Sequence, residues 1–485
     1  MRAGGALSRS GLLLLFMAAA PWVAARPRLR ASQDRPRPNV VLVVCDSMDG
    51  RLTFHPGNQT VDLPSIRFIS RYGTTFLNAY TNSPICCPSR AAMWSGLFTH
   101  LTESWNNFKG LDPGYVTWMD LMEKHGYHTQ KYGKLDYTSG HHSVSNRVEA
   151  WTRDVDFLLR QEGRPMVNLT GDKKHMRVKE ADWKNTDKAV SWIKEEAINF
   201  TQPFVLYLGL NLPHPYPSPY AGENFGASTF LTSPYWLQKV GEGEIISVLR
   251  DTKLLQKTMV IFTADHGELA MEHRQFYKMS MYEGSSHVPL LVMGPGVKEE
   301  QQVPNVVSLV DIYPTMLDIA RIPVLQNLSG YSLIPLLRGK ADNEVSPPEV
   351  LRRPPWVLSE FHGCNVNSSS YMLRAGRWKY VAYADGRSVL PQLFDLSEDP
   401  DELTNVAMKL PGVVRSLDRM LRSVVNYPKV SSAVQEYNKR EFITWKQSLG
   451  QNYSNVIANL RWHHDWLQQP QKFESAIDKW LSQST

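Results

Sequence analysis

The residues with most chemical potential are Cys86-Cys87-Pro88-Ser89-Arg90. Pro88 suits the first turn of a helix. That sets Cys86 at a helix N-terminus, where free backbone N–H groups favour an anion. Taken alone, two adjacent cysteines before a proline also describe a disulfide site or a buried thiol, and Cys87 is expected to be one of these. The chain holds only Cys45, Cys86, Cys87 and Cys364, too few for a disulfide scaffold. In an oxidising compartment, so sparse a set leaves room for a cysteine kept for chemistry.

Other reactive side chains follow apolar runs. Asp46 closes the β-branched run 39–45, and Lys134 follows the short strand-like stretch 128–132. His214 follows 204–210, and Asp265-His266 follow 258–262. Continuous apolar runs of this length suit buried strands of a parallel sheet. Open α/β sheets place ligands at the C-terminal ends of such strands. One acid there is usually a turn residue, but several at equivalent ends of one sheet converge on one crevice. Hard carboxylate oxygens in that crevice suit Ca²⁺ or Mg²⁺. Asp49 and His142 read as local.

The positioning elements alternate. Helix-like stretches at 63–72, 88–94, 117–125, 186–197, 244–250 and 307–319 separate the strands, with further strands at 74–79 and 288–293. The pattern predicts an α/β fold with a large, mostly parallel sheet covered by helices on both faces. After about residue 350 the texture changes. Short alternating strands at 356–361, 371–374 and 378–383, then polar helices ending in one at 455–481, predict a smaller C-terminal α+β subdomain with an antiparallel sheet. The expected division is a signal peptide at 1–25, a flexible lead-in at 26–38, a catalytic α/β domain at 39–350 and the subdomain at 351–485.

Composition sets limits on function. With 42% hydrophobic and 21% charged residues, the chain is globular rather than disordered. The net charge of +6 comes from residues 1–37, where seven arginines face Asp34 alone. The rest is formally neutral, with no basic stripe for nucleic acid. Arg2 and Arg9, the apolar stretch 11–20 and the small residues Val23-Ala24-Ala25 form a secretory signal. No later run of about 18 apolar residues predicts a membrane span. Asn-x-Ser/Thr sites at Asn58, Asn168, Asn199, Asn327, Asn367 and Asn452 predict a glycoprotein, secreted or delivered to the lysosome.

Together these pieces resemble the sulfatases of the alkaline phosphatase superfamily. The likeness is carried by residues 39–46, Cys86 to Arg90, Gly133-Lys134, Pro213-His214, residues 263–267, Lys278, Tyr282-Glu283 and Val288-Pro289. It implies hydrolysis of sulfate esters on sulfated sugars, as in glycosaminoglycan exosulfatases, with 2-O-sulfated glucuronate the expected unit. A formylglycine-generating enzyme would oxidise Cys86 to 3-oxoalanine (formylglycine), whose aldehyde hydrates to a geminal diol. One hydroxyl attacks sulfur and expels the sugar alcohol. The other then loses its proton, sulfate leaves, and the aldehyde is regenerated. The resemblance makes Asp46, Asp265, His266 and residue 86 the ligands of one Ca²⁺. Arg90 would hold formylglycine and the metal carboxylates. Lys134, Lys278 and His214 would bind sulfate oxygens or protonate the leaving group. The bland alternatives are a structural ion pair for Arg90, a surface lysine at 278 and a turn histidine at 214.

Three departures from the family pattern carry expectations. Ser47 stands where many sulfatases have a second acid, so the cation loses a strong ligand. Asp136 stands where a histidine is usual, with Asp136, His141 and His142 as substitutes. Between Trp236 and Thr258 the chain is several tens of residues short, as if a segment were omitted. Loss of a covering helix there would expose an apolar face of the sheet and predicts poor folding or inactivity. Two rival readings follow: a degenerate glycoprotein that binds sulfated glycans without cleaving them, and a metal-dependent phosphoesterase. Cys86 weighs against the second, since those enzymes use Ser or Thr.

Overall fold

The computed structural model describes residues 36–107, 109–139, 180–214, 243–324, 327–339, 353–362, 369–458 and 469–482. The expected signal peptide and most of the lead-in lie outside these residues. Strand β1 (Asn39–Asp46) is the centre of the larger sheet. It pairs in parallel with β4 (Phe204–Pro213) on one side and β5 (Thr258–Ala264) on the other. Beyond β4 lies β3 (His128–Gly133), also parallel. Beyond β5 comes β8 (Leu290–Met293), antiparallel to β5 and to β2 (Gly73–Tyr80). Strand β9 (Gln301–Ser308) runs parallel to β2 and completes the order β3-β4-β1-β5-β8-β2-β9. A two-stranded ribbon, β6 (Leu269–Ala270) with β7 (Phe276–Tyr277), follows β5.

Val40 to Val44 are at most 1% exposed. Successive strand residues point to opposite faces, so both faces of β1 are covered. Strands β4 and β5 are buried throughout as well. The apolar face expected to lie bare is therefore covered along the described central strands. Helix α4 (Glu180–Glu195) packs on β3, β4 and α5 (Gly243–Asp251). Elsewhere, α1 (Pro64–Arg71) packs on β2 and β8. Helix α3 (Trp118–Lys124), with its Thr117–Asp120 capping box, packs on β3 and on α6 (Ile312–Ile319). All ten residues of α2 (Cys86–Ser95) are buried, and the helix stops at Gly96, whose φ of 69° is easy only for glycine.

Two expected boundaries shift. The helix expected from 307 begins at Ile312, because Val307 and Ser308 end β9 and Leu309–Asp311 form a single 3₁₀ turn. Pro314 then sits in the first turn of α6, where its missing N–H costs nothing. The helix expected from 186 begins at Glu180.

The smaller sheet is antiparallel, ordered β10 (Trp356–Phe361), β11 (Ser370–Ala375), β12 (Trp378–Tyr383) and β13 (Gln392–Asp395). Leu358, Tyr371, Leu373, Tyr380 and Leu393 form its core against Leu417 and Leu421 of α7 (Pro411–Val424). Helix α8 (Tyr427–Leu449) follows. Of the helix expected at 455–481, a short helix Tyr453–Ala458 and α9 (Pro470–Ser482) are described, and 459–468 lie outside the described residues. The two sheets are tied by charge. Buried Lys379 meets Glu283 at 2.6 Å, Glu402 at 2.8 Å and the Met281 carbonyl at 2.8 Å. The Glu360 amide donates to the Asn82 carbonyl at 2.7 Å, and its carboxylate accepts from His100 at 2.9 Å.

Candidate active site

Strand register brings the reactive side chains to one edge. Cys45 pairs with Ala264 and Asp46 with Pro213, so Asp46, Asp265 and His214 leave three adjacent strands at the same level. Lys134 reaches this edge because β3 and β4 approach closely. A Cβ on Gly133 would meet the Gly209 carbonyl oxygen at 1.9 Å, and one on Gly209 would meet that of Lys134 at 1.9 Å. Cys86 arrives from the far side of the sheet, as the first residue of α2 after β2.

Asp46, Cys86, Asp265 and His266 form a buried cluster whose donor atoms all lie within 4.8 Å of one another. His266 Nε2 stands 3.3 Å from Asp46 Oδ1, 3.5 Å from Asp265 Oδ1 and 3.4 Å from Cys86 Sγ. His266 Nδ1 is 2.9 Å from the Gly267 carbonyl. That bond puts a proton on Nδ1 and leaves Nε2 facing two carboxylate oxygens and the sulfur. Burial lowers the imidazole, but Asp265 and Cys86 outweigh it and favour a second proton at Nε2, whose place a metal ion would take. Four electron-rich donors facing inward need a cation or a shared proton between them. The donor set therefore fits a divalent ion.

The surrounding bonds hold this arrangement. Arg90 Nε donates to Asp265 Oδ2 at 2.8 Å, and its Nη1 donates to Tyr207 Oη at 2.7 Å and the Lys134 carbonyl at 2.9 Å. Ser89 Oγ donates to the Asp265 carbonyl. Ser47 adopts φ 68°, so its amide donates to Asp265 Oδ1 at 3.3 Å and its hydroxyl to Asp46 Oδ1 at 3.2 Å. The residue read as a lost ligand thus orients two ligands. Asn107 Oδ1 accepts from the Cys87 amide at 3.0 Å, filling one of the open N–H groups of α2.

Lys134 Nζ lies 2.5 Å from Asp46 Oδ2 and 3.5 Å from Asp136 Oδ2. Lys278 Nζ lies 3.2 Å from Cys86 Sγ and 3.9 Å from Asp46 Oδ1. Burial raises the Asp46 carboxyl, but Lys134, Lys278, His214 and His266 outweigh it and hold the group well below the usual carboxylate range. His214, one of these groups, is buried just past the end of β4. Burial and Asp46 push the Cys86 thiol up, whereas Lys134, Lys278 and His266 pull it further down, well below an ordinary thiol. For Asp265, burial wins over Arg90 and the carboxyl is raised. Burial pushes the Cys87 thiol up, so two adjacent sulfurs have opposite character.

Asp46, Cys86, Arg90, Lys134, Asp265, His266 and Lys278 thus meet in one buried cluster, with His214 just past the end of the neighbouring β4. Asp49 bonds Arg51 at 2.7 Å, a local pair, and His141 and His142 lie outside the described residues. Cys87 is buried with a free thiol. Among the acceptor asparagines, Asn199, Asn327 and Asn452 are exposed and Asn58 is half-buried. Asn168 and Asn367 lie outside the described residues. Sequence reasoning missed Tyr207, Ser89 and Asn107. A lone tyrosine within the aliphatic run 204–210 is the one available signal.

The chain belongs to the sulfatase family. The family model "Sulfatase" matches residues 38–322, and "N-sulphoglucosamine sulphohydrolase, C-terminal" matches 271–426. It is a sulfuric ester hydrolase by this membership and by its relatives. Arylsulfatase K of Gallus gallus is 70% identical, over 97% of this chain and 97% of that protein. Arylsulfatase K of Homo sapiens is 64% identical, over 94% and 95%. The Gallus gallus alignment spans 524 positions against 485 residues here, so at least 39 positions of it (524 − 485) have no counterpart in this chain. A solved structure in complex with its substrate D-glucosamine-2-N,6-O-disulfate shares the fold, with TM-score 0.63 and 18% identity over 81% of this chain and 98% of that one. Among the described residues no helix is long and apolar enough to cross a membrane.

Proposed function

We propose that the chain hydrolyses 2-O-sulfate esters of glucuronate in glycosaminoglycans, with Cys86 oxidised to formylglycine and one Ca²⁺ at Asp46, Asp265 and His266. The observation that carries this reading is the meeting of Cys86 Sγ, Lys278 Nζ and His266 Nε2 within 3.2–3.4 Å beside Asp46. Sγ stands where an oxygen of the modified residue would lie. The modification supplies an oxygen nucleophile that can later shed sulfate by elimination, which a serine hydroxyl cannot do. The ion supplies Lewis-acid polarisation of a sulfate oxygen.

The chain's own groups supply the rest. Lys134 and Lys278 present two buried ammonium groups to the sulfate oxygens and neutralise charge that develops as the ester bond breaks. His214, buried just past β4, is the group that would pass a proton to the leaving alcohol. Arg90 fixes Asp265, and Ser47 fixes Asp265 and Asp46, so the acids need not reorganise. Asp136, 3.5 Å from Lys134, occupies the place of the usual histidine and steadies that ammonium. The secretory signal and acceptor asparagines support a glycoprotein of the lysosome or extracellular space, matured by the formylglycine-generating enzyme.

Mass spectrometry of the tryptic Cys86 peptide, with turnover of a 2-O-sulfated glucuronate disaccharide in the presence and absence of Ca²⁺, tests this. Formylglycine at residue 86 and calcium-dependent sulfate release lost in Cys86→Ala are expected. An unmodified thiol in active enzyme would sink the proposal. The missing 39 or more aligned positions favour one second reading, a sulfated-glycan binder without turnover. Retained glycan binding with no sulfate release by a correctly modified chain would establish it.

A further inference from the structure

We infer that Asp182 is a positioning residue for His214: its carboxylate clamps the turn that ends β4 and so fixes the histidine that serves the leaving alcohol. The inference rests on the role given to His214 in the proposed function, and it concerns a side chain outside the metal and sulfate ligands.

Asp182 stands in the first turn of α4, on the buried stripe Asp182, Thr186, Ala189 and Ile193. The helix packs on β3 and β4, and residues at this spacing share one helix face. An acid is out of place on such a stripe, since a buried carboxylate costs free energy unless its oxygens find donors. Here they find three. Oδ2 accepts from the Asn211 amide at 2.7 Å and the Leu212 amide at 2.9 Å, and Oδ1 accepts from Asn211 Nδ2 at 2.8 Å.

The end of β4 needs such an acceptor. Val44 of β1 pairs with Gly209 and Asp46 with Pro213, so Cys45 alone faces Leu210, Asn211 and Leu212. On the other side, the pairing of β3 ends at Gly133, opposite Gly209. A bulge of this kind interrupts the ladder, and its backbone donors must be satisfied from elsewhere. Asp182 satisfies two of them from the helix above. The His214 amide then closes the turn on the Asn211 carbonyl at 3.0 Å. Asn211 is thus held by its amide and side chain to Asp182 and by its carbonyl to His214. It also lines, with Lys134, Asp136 and Asn185, a cavity of about 570 Å³. The clamped turn therefore borders open space next to Lys134.

The chemistry separates this role from plain stability. As the S–O bond breaks, a sugar alkoxide needs a proton from His214, whereas 4-nitrophenolate leaves without one. A misplacement of about 1 Å caused from a distance can cost about a hundredfold in rate. Loss of the clamp should therefore slow the sugar ester selectively.

The test uses the full-length chain on a 2-O-sulfated glucuronate disaccharide and on 4-nitrophenyl sulfate. Asp182→Ala should lower kcat about a hundredfold on the sugar ester and less than about threefold on the aryl ester, with KM for both within about threefold. Asp182→Asn sets an amide N–H against Asn211 Nδ2 and should show part of this loss. Combining Asp182→Asn with Asn211→Asp allows all three bonds again, with the side-chain donor and acceptor exchanged, and should recover most of the sugar-ester rate. A readout free of turnover is diethyl pyrocarbonate labelling of His214, scored by peptide mass against His266. His214, 5% exposed, should label about tenfold faster in Asp182→Ala as the turn opens. Equal loss on both esters, no loss on the sugar ester, no recovery in the paired variant or unchanged labelling overturns the inference. If Asp182→Ala does not fold, Asp182→Asn, which keeps the volume, carries the same comparisons. A parent chain that turns over neither ester fails the sulfatase mechanism, whereas the labelling contrast still decides the role of Asp182.

Discussion

Glu360→Gln is the perturbation whose size follows most directly from the structure. Glu360 is fully buried on β10. Its Oε1 accepts from His100 Nδ1 at 2.9 Å, and its Oε2 lies 3.3 Å from His362 Nε2. Burial raises its carboxyl, but His100 and His362 outweigh that and bring it down to about 2 from the ordinary 4.5. At about 1.4 kcal/mol per tenfold in proton affinity, this depression amounts to about 3 kcal/mol. Burial lowers His100 and Glu360 raises it, with a net rise. The signs define a window. The glutamate contribution is present above 4.5 and lost as pH falls toward 2. The histidine contribution is full below 6.5 and is lost as pH rises through the raised value. Both are complete between about 4.5 and 6.5. A folded body the size of Arg37–Thr485, at about 2.1 cal/mol/K per residue, has an unfolding entropy of about 0.9 kcal/mol/K. Glu360→Gln should therefore lower Tm by about 3 °C at pH 5.5. At a pH above the raised His100 value, where that ring is neutral, the gap should shrink below about 1 °C. Scanning calorimetry at both pH values reads this out. A gap that is the same at both, or absent at pH 5.5, refutes an ion-pair origin.

Three other substitutions test the electrostatic scheme. Lys379→Met leaves Glu283 and Glu402 buried without their shared cation and should cost about 3–5 kcal/mol, measured by denaturant unfolding. Lys278→Met removes the ammonium beside Cys86, so alkylation of the unmodified thiol by iodoacetamide at neutral pH should slow about tenfold, with its pH midpoint moved upward. Arg90→Lys cannot bond Asp265, Tyr207 and the Lys134 carbonyl at once. It should lower kcat for sulfate-ester hydrolysis about a hundredfold or more, and unchanged kcat would show that Arg90 serves stability alone.

Legibility in the sequence followed physical strength. The runs that became β1, β4 and β5 are continuous and β-branched because both their faces are covered, so they stand out against any loop. The acids and histidines at their ends were visible for the same reason. Strand β9 was invisible because it is an edge. Pro304 and four polar residues are tolerated where one side needs no partner. Ser47 was read as a deficit, since its value lies in a backbone amide turned by φ 68°, which no residue type announces. Tyr207 looked like core because its ring is core, and only its hydroxyl works, on partners 73 and 117 positions away.

The antiparallel strand β8 between β5 and β2 has a consequence for how the molecule comes to be. Arg90 and Asp265 are 175 positions apart in the chain, and Asp46 and Lys134 are 88 apart. Asp265 leaves β5 and Cys86 follows β2, and only β8 joins those strands. The cluster cannot assemble until this long-range pairing is made, and such non-local pairings form slowly because loop closure precedes any reward. A cation that binds the closed crevice stabilises only the finished chain, by RT ln(1 + [M]/Kd). The reactive centre is thus also the clasp of the fold, and an ion held there would mark the molecules whose folding has been completed.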